Sequence, residues 1–281
     1  MTNHKVLMSA AGYFTLDQKI NPYYDHAPVD VARAEIDHSN VADCFRQAGI
    51  DVVRVAAPTD AQDGIYTANW ALVRGSKAIL ARLPDVRKAE EEYAAELLMS
   101  LGYEVLRVPE DWHFSGQGDN LAVGNYLISG HGYRSDARAC EFAARELGLE
   151  LVQVHAIPVL EDGCPKINPV SGWPDSWFYD IDLAVGVLRD DLIAYCPEAL
   201  DEESRIKISG LPLETIRVDY DEAVNGLACN LVSTGETVIM SSRAPKLRRE
   251  IEERGFKVLT PDVREINRGG GFIRCVSLTL Q

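Results

Sequence analysis

"TANWALVRGSKAILAR", Thr67–Arg82, decides the fold. Asn69 stands near its head, an apolar run follows, then a glycine-bearing turn, then a second apolar run. Two strand-like runs joined by a short turn read as a β-hairpin. The pattern returns three times, as "GDNLAVGNYLISG" from Gly118, "DIDLAVGVLRDDLIAY" from Asp180 and "ACNLVSTGETVIMSS" from Ala228. The aligned polar residues are Asn69, Asn120, Asp182 and Asn230. Self-similarity at a regular spacing is the signature of a repeat architecture.

Helical stretches follow most of these hairpins. "RKAEEEYAAELLMSLG" has apolar residues at helical spacing and ends at Gly102. "SDARACEFAARELG" offers Ser135 as a cap and ends at Gly148, and "APKLRREIEERG" ends at Gly255. Each runs into a strand: "YEVLRVP", "LELVQVHAI" and "FKVLTP". "HSNVADCFRQAG" with "IDVVRVAAP" gives the same pair near the start, and "DEESRIKISGLPLETIRVD" a weaker one. The unit is β-β-α-β, about 55 residues long. A fifth hairpin would join "FIRCVSLTL" to the N-terminal "KVLMSAA", tying both ends together and removing free sheet edges. The expectation is one α/β domain over residues 1–281, a five-bladed ββαβ propeller with pseudo-five-fold symmetry. The alternative is an ordinary α/β sheet with coincidental hairpins.

The chain has 281 residues and a net charge of −15. So acidic a surface repels phosphate backbones and anionic membranes, which excludes nucleic acid and membrane as main partners. The start lacks the apolar core and cleavage site of a signal peptide, and no apolar run suggests a membrane span. Six cysteines, Cys44, Cys140, Cys164, Cys196, Cys229 and Cys275, are scattered without a CxxC pair. Neither zinc site nor disulfide framework is indicated, and reduced thiols in a cytoplasm fit this usage.

Chemistry gathers at a few places. "NRGGGFIRC" puts Cys275 after three glycines, which suits either a nucleophile presented by a close-approaching backbone or a buried thiol. Arg274 is adjacent but would face the other way on a strand. Asp180 and Asp182 at i, i+2 would share one strand face, where two carboxylates can grip a planar cation or shuttle a proton. A solvated turn is the alternative, as it is for "SGQGDN" around Gln117. Arg82 and Arg134 are candidates for holding a substrate carboxylate.

Together these motifs resemble the guanidine-modifying, or pentein, superfamily over nearly the whole chain. "YFTLDQKINP" looks like its opening segment, which brings Phe14 into the substrate-binding set. "YTANWALV", "FSGQGDNL", "GYRSD", "FYDID", "ACNLV" and "GGGFIRCVSL" resemble motifs of its dimethylarginine dimethylaminohydrolase-like branch. The resemblance implies a ring of five ββαβ units, with no metal or organic cofactor. It implies that Cys275 attacks a guanidinium carbon to give a covalent thiouronium. Asn69, Asp119 and Asp182 would surround the guanidinium, and Arg82 and Arg134 would hold the carboxylate. Asn69 stands where many members have Asp, although arginine dihydrolase-like members also carry Asn.

Two departures stand out. Asp180 occupies the place of the family's catalytic His, and Ser115 that of the supporting Glu. A carboxylate is a weaker base than imidazole unless desolvated. His113 and His131 lie near two motifs, where a solvated or structural role is the simpler reading. Three functions therefore compete. The first is a cysteine-dependent hydrolase or amidinotransferase acting on arginine, a methylarginine or another guanidino or amidino amino acid, with Asp180 as proton shuttle. The second is a pseudoenzyme that binds without turnover, and the third an enzyme for a non-guanidine substrate. A homodimer is an open expectation.

Overall fold

A computed structural model of the chain describes residues 2–25 and 27–280. Its strands gather into five three-stranded sheets of one design, each an antiparallel pair extended by a parallel strand. The first contains β1 (Lys5–Ser9) and β2 (Asp51–Val55) in parallel. The second is β3 (Ala71–Arg74), β4 (Lys77–Leu80) and β5 (Glu104–Arg107). The third is β6 (Asn120–Val123), β7 (Tyr126–Gly130) and β8 (Glu150–Val154). A small hairpin, β9 (Leu160–Glu161) with β10 (Cys164–Pro165), interrupts the series, and the sequence pattern did not announce it. The fourth sheet is β11 (Val185–Arg189), β12 (Leu192–Tyr195) and β13 (Glu214–Arg217). The fifth is β14 (Val232–Ser233), β15 (Thr237–Ile239) and β16 (Lys257–Leu259). The last strand, β17 (Leu278–Thr279), returns to pair antiparallel with β1, Val6 opposite Thr279.

Helices connect each antiparallel pair to its parallel strand. They are α1 (Val31–Gln47), α2 (Lys88–Ser100), α4 (Ala137–Leu147), α5 (Glu202–Ser209) and α7 (Pro245–Glu253). Between them lie the short α3 (Gly116–Asp119) and α6 (Tyr220–Gly226). Helix α1 begins at Val31, seven residues before the expected start, because Asp30 caps it by accepting from the Arg33 N–H at 3.0 Å. The cap expected at Ser135 falls instead on Asp136; the Ser135 hydroxyl accepts from the Ser115 N–H at 3.0 Å.

Alternation along the strands explains how the sheets stack. On β1, Val6 and Met8 pack in one cluster with Ala34, Val41 and Phe45 of α1, while Leu7 packs in another with Trp70 and Leu278. On β3 and β4, Ala71, Val73, Ala78 and Leu80 meet Ala94, Ala95 and Leu98 of α2. Leu72 and Ile79 point the other way, toward Phe114, Leu127 and Ala139. Successive strand residues serve opposite faces. Each face is covered, one by the unit's own helix and one by a neighbour, so the runs read as almost wholly apolar. Replacing the fully buried Leu72 by Ala would cost about 2–5 kcal/mol.

Candidate functional site

Apart from Asn120, which opens β6, the polar residues at the heads of the repeats do not sit on strands. Asn69 ends a short 3-10 turn, Thr67–Asn69, just before β3. Asp119 ends α3 just before β6. Asp182 lies in the turn Ile181–Leu183 before β11, with Asp180 at its N-cap position. Asn230 precedes β14, and Cys275 lies in the turns before β17. The shared strand face expected for Asp180 and Asp182 is therefore corrected to a shared tight turn. Both carboxylates are nonetheless fully buried. "SGQGDN" is likewise no surface turn, since Gln117 and Gly118 are buried.

Cys275 is 2% exposed. Its Sγ donates toward Asp182, 3.4 Å from Oδ2 and 3.8 Å from Oδ1. Asn230 Nδ2 donates to the sulfur at 3.1 Å. Asn230 Oδ1 meanwhile accepts from the backbone N–H groups of Phe272, Arg274 and Cys275, at 3.0–3.2 Å. One amide side chain thus shapes the loop and touches the thiol. The Cys275 carbonyl accepts from the Ala68 N–H at 3.0 Å, which joins the loop to the Asn69 turn.

Asp180 faces a different set. Its Oδ1 accepts from the Ser115 hydroxyl at 2.8 Å, and its Oδ2 from Asn69 Nδ2 at 2.8 Å. Ser115 and Asp180, the two departures noted in the sequence, are direct partners. Asn69 Oδ1 accepts from Arg87 at 2.9 Å, and Arg87 is paired with Glu90 at 2.6 Å, both buried. Asp119 Oδ1 accepts from the Ile181 N–H at 3.0 Å; its Oδ2 is buried with no hydrogen-bond partner among the described residues. A Cβ on Gly118 would lie 2.8 Å from Asp180 Oδ2, so the turn needs glycine there.

Burial, then the neighbouring Asp180, push Asp119 and Asp182 well above the usual carboxylate range. Burial, then Asp182 and Asp180, push the Cys275 thiol up as well; the Asn230 hydrogen bond opposes this only in part. Burial and the neighbouring carboxylates thus favour the protonated thiol, and Arg274 beside Asp182 and Arg134 beside Asp119 offset the crowding of acidic groups only in part.

The glycine loop closes against aromatic rings. Gly270 is left-handed, φ 85°, and a Cβ there would sit 2.8–2.9 Å from Tyr23, Asn21 and the Tyr179 hydroxyl. A Cβ on Gly271 would meet the Tyr66 ring at 2.5 Å. Phe14, buried, packs edge-on against Tyr66 with ring centroids 5.8 Å apart. Arg134 is buried, stacks over Tyr179 at 4.1 Å and donates to the Ile20 carbonyl at 3.2 Å. No ion pair holds it among the described residues, although it acts on the charge of Asp119. Arg82 lies in other company, bonded to Glu91 at 3.1 Å and to the Val108 carbonyl. Arg274 is buried and turned away, donating to Thr279 Oγ1 at 2.7 Å and Gln117 Oε1 at 3.0 Å. It borders a cavity of about 20 Å³, room for roughly one water.

The His113 ring lies 4.4 Å from that of Trp173, tilted by 43°, and His131 lies 5.6 Å from His155; neither is bonded to Cys275 or Asp180. Sequence reading missed Asn230 as a site residue, though the repeat alignment had marked it. It also missed Arg87, Glu90, Tyr66 and Tyr179. Among the described residues no group of three His, Cys, Asp or Glu side chains is placed to hold a metal, and no helix is long and apolar enough to cross a membrane.

Comparison with known proteins gives a consistent picture. Residues 24–280 match the family described as N,N dimethylarginine dimethylhydrolase, eukaryotic. N(G),N(G)-dimethylarginine dimethylaminohydrolase of Mycobacterium tuberculosis is 30% identical over 97% of this chain and 84% of that protein. The bifunctional arginine dihydrolase/ornithine cyclodeaminase ArgZ of Synechocystis sp. is 28% identical over 98% of this chain, which spans 37% of it. The substrate-bound N-terminal domain of ArgZ, in a Cys-to-Ser mutant, superposes with a TM-score of 0.87 at 26% identity, covering 99% of this chain and 98% of that one. An Asn-to-Ser mutant of the same domain, covalently bound to a reaction intermediate, superposes equally well, at 27% identity over 99% and 97%.

Proposed function

This chain belongs to the N,N dimethylarginine dimethylhydrolase family, and on that footing we propose that it hydrolyses a guanidino amino acid with Cys275 as nucleophile. The five like sheets, with β17 closing onto β1, support a five-bladed ring of the pentein type. The turns at the heads of the units then converge on one pocket.

One observation carries the reading: three buried carboxylates, Asp119, Asp180 and Asp182, crowd a buried thiol, and one of their oxygens is unpartnered among the described residues. Such a cluster calls for a cation with several donors, and a guanidinium supplies one positive charge and a planar array of N–H groups. The cation offsets the carboxylates that hold the thiol's proton. The Cys275 S–H proton passes to Asp182, the nearest carboxylate, as the S–C bond forms at the guanidinium carbon. The C=N electron pair moves onto nitrogen. That nitrogen takes the proton back from Asp182, its C–N bond breaks and it leaves as ammonia or an amine, giving a thiouronium. Water then attacks the same carbon, one of its protons passing to the Asp180–Ser115 pair; as the C=O bond forms the S–C bond breaks, and the second water proton goes through Asp182 to the sulfur, restoring the thiol. Arg134 is assigned the substrate carboxylate; Arg82, neutralised by Glu91, shapes the approach. Relatives that process dimethylarginine and arginine direct the search to those two substrates.

The test is product analysis with arginine and methylated arginines, assaying ammonia, methylamines, citrulline and ornithine. Release that is lost in Cys275→Ser supports the reading; release that persists in Cys275→Ser contradicts it. A second reading, binding without turnover, draws on the thiol being held protonated. Calorimetric binding of arginine with no product at any pH would favour it.

A further inference from the structure

We infer that Arg274 is a positioning residue of this site: its fixed guanidinium supplies the positive charge that supports the Asp182–Cys275 pair. The backbone ties it to the nucleophile. Asn230 Oδ1 accepts from the Arg274 N–H at 3.0 Å and from the Cys275 N–H at 3.2 Å, while Asn230 Nδ2 touches the sulfur. The side chain leaves the thiol and runs to β17 and α3. Its Nη1 donates to Thr279 Oγ1 at 2.7 Å and its Nη2 to Gln117 Oε1 at 3.0 Å.

Those acceptors are held in their own right. Gln117 Oε1 also takes the Thr279 N–H at 2.9 Å, and its Nε2 donates to the Thr279 carbonyl at 3.0 Å. The Thr279 hydroxyl donates to Asn3 Oδ1, and Asn3 Nδ2 donates to the Ser233 carbonyl at 2.9 Å. A guanidinium has donors only, so one amide orientation of Gln117 serves all three bonds. Gln117, in the middle of "SGQGDN", thus seats the arginine.

Both acceptors are neutral, and no carboxylate among the described residues forms an ion pair with Arg274, which is 6% exposed. A guanidinium so deeply buried keeps its charge and needs a negative one nearby. Burial pulls it down, while Asp182 and then Cys275 steady it. The effect is mutual: burial and then Asp180 push the Asp182 carboxyl up, and Arg274 draws it back. Asp180 and the Tyr23, Tyr66 and Tyr179 hydroxyls also surround the sulfur, and burial keeps those hydroxyls protonated. Arg134 lies over the Tyr179 ring and acts on Asp119 instead. The charge that keeps Asp182 able to take the thiol's proton also repels an incoming cation. Arg274 therefore raises thiol reactivity and lowers cation affinity, two effects of opposite sign. The placement stands on geometry; its bearing on turnover rests on the function proposed above.

The test labels Cys275 with neutral chloroacetamide and cationic chloroacetamidine; in each case the S–C bond forms as chloride leaves. Arg274→Gln removes the charge and Arg274→Lys keeps it. Gln117→Glu pairs the guanidinium with a carboxylate, leaving acceptors for Arg274 and the Thr279 N–H. The expected result in Arg274→Gln is chloroacetamide labelling slower by about tenfold or more, one unit of thiol pKa. Its preference for the amidinium reagent rises by about threefold or more, because the repelling charge is gone. Gln117→Glu moves both readings the same way, and Arg274→Lys stays within about threefold of wild type. In turnover, Arg274→Gln lowers kcat by roughly tenfold or more while KM stays level or falls. Chloroacetamide labelling within about twofold of wild type in folded Arg274→Gln overturns the inference. So does an equal fall for both reagents that Arg274→Lys shares, which marks a structural seam alone. If Arg274→Gln does not fold, Gln117→Glu decides by the same two rates. A wild-type protein inactive on every guanidino amino acid defeats the functional reading alone, while labelling still decides the role of Arg274.

Discussion

On the Cys275 side of the site the contacts are long and involve sulfur; on the Asp180 side they are short and backed by an ion pair. The thiol lies 3.1 Å from Asn230 and 3.4 Å from Asp182. Asp180 has 2.8 Å bonds from both Ser115 and Asn69, and Asn69 is locked in turn by Arg87. The first side can give up or accept a proton with little rearrangement. The second is saturated with hydrogen bonds and held in one geometry. Chemistry that needs a loosely held thiol beside a pre-organised carboxylate finds both within one buried cluster.

The largest expected effects fall on the sulfur side. Cys275→Ser should lower kcat by on the order of 10⁴-fold or more, read by product release. Asp182→Asn should lower it by about 10²–10⁴-fold, because the nearest acceptor for the thiol proton is gone. If Asp182→Asn keeps wild-type kcat while Asp180→Asn does not, the two sides exchange roles. Asn230→Ala comes next and is chiefly a stability effect. It leaves three buried backbone N–H groups without their acceptor, at about 1–3 kcal/mol for each that finds no substitute. Ser115→Ala removes the hydroxyl that donates to Asp180 and accepts from Asn69 Nδ2, whose N–H groups keep Asp180 Oδ2 and the Ser115 carbonyl, and should cost less, about 1–2 kcal/mol. Urea unfolding of the two variants ranks them, and the reverse order would undo the contrast.

The smallest effect depends on pH. Asp119 is held above the usual carboxylate range, so the folded chain binds its proton more tightly than the unfolded chain does. Its contribution to stability is full below the ordinary carboxylate value and is lost as pH rises through the folded one. Asp119→Asn, which keeps an acceptor for the Ile181 N–H, should raise the melting temperature at pH 8 by a few degrees, at roughly 2–4 °C per kcal/mol. Near pH 4 it should change little. A gain at pH 4 that disappears at pH 8 would reverse the assigned sign.

Much of the architecture was legible because the repeat is written in hydrophobicity. Each hairpin is apolar on both faces, and glycines end α4 and follow α7, Gly148 and Gly255 with φ of 64° and 86°. The site was legible only as residue types near equivalent heads. Spacing suggested strand geometry for Asp180 and Asp182, yet the backbone tightens there into a 3-10 turn whose bonds depend on distant partners: the Ile181 N–H goes to Asp119. Arg87 looked like the opening of an amphipathic helix. Its burial follows from the approach of Asn69 and Trp70, which local periodicity does not encode. The β9–β10 hairpin left no periodic trace, being two residues long in each strand.

The central claim is that buried carboxylates draw a cation onto Cys275, and paired electrophiles test it most directly. Chloroacetamidine and chloroacetamide both alkylate a thiol with loss of chloride, but only the first is a cation. Their labelling rates at Cys275, read by mass spectrometry of the intact and digested protein, are compared with those for a free thiol. The account predicts that the amidinium reagent labels Cys275 with a preference at least about tenfold above its preference for the free thiol, and that Asp182→Asn reduces this margin. Equal selectivity for the two reagents, or no labelling of Cys275 by the cation at any pH, would contradict it.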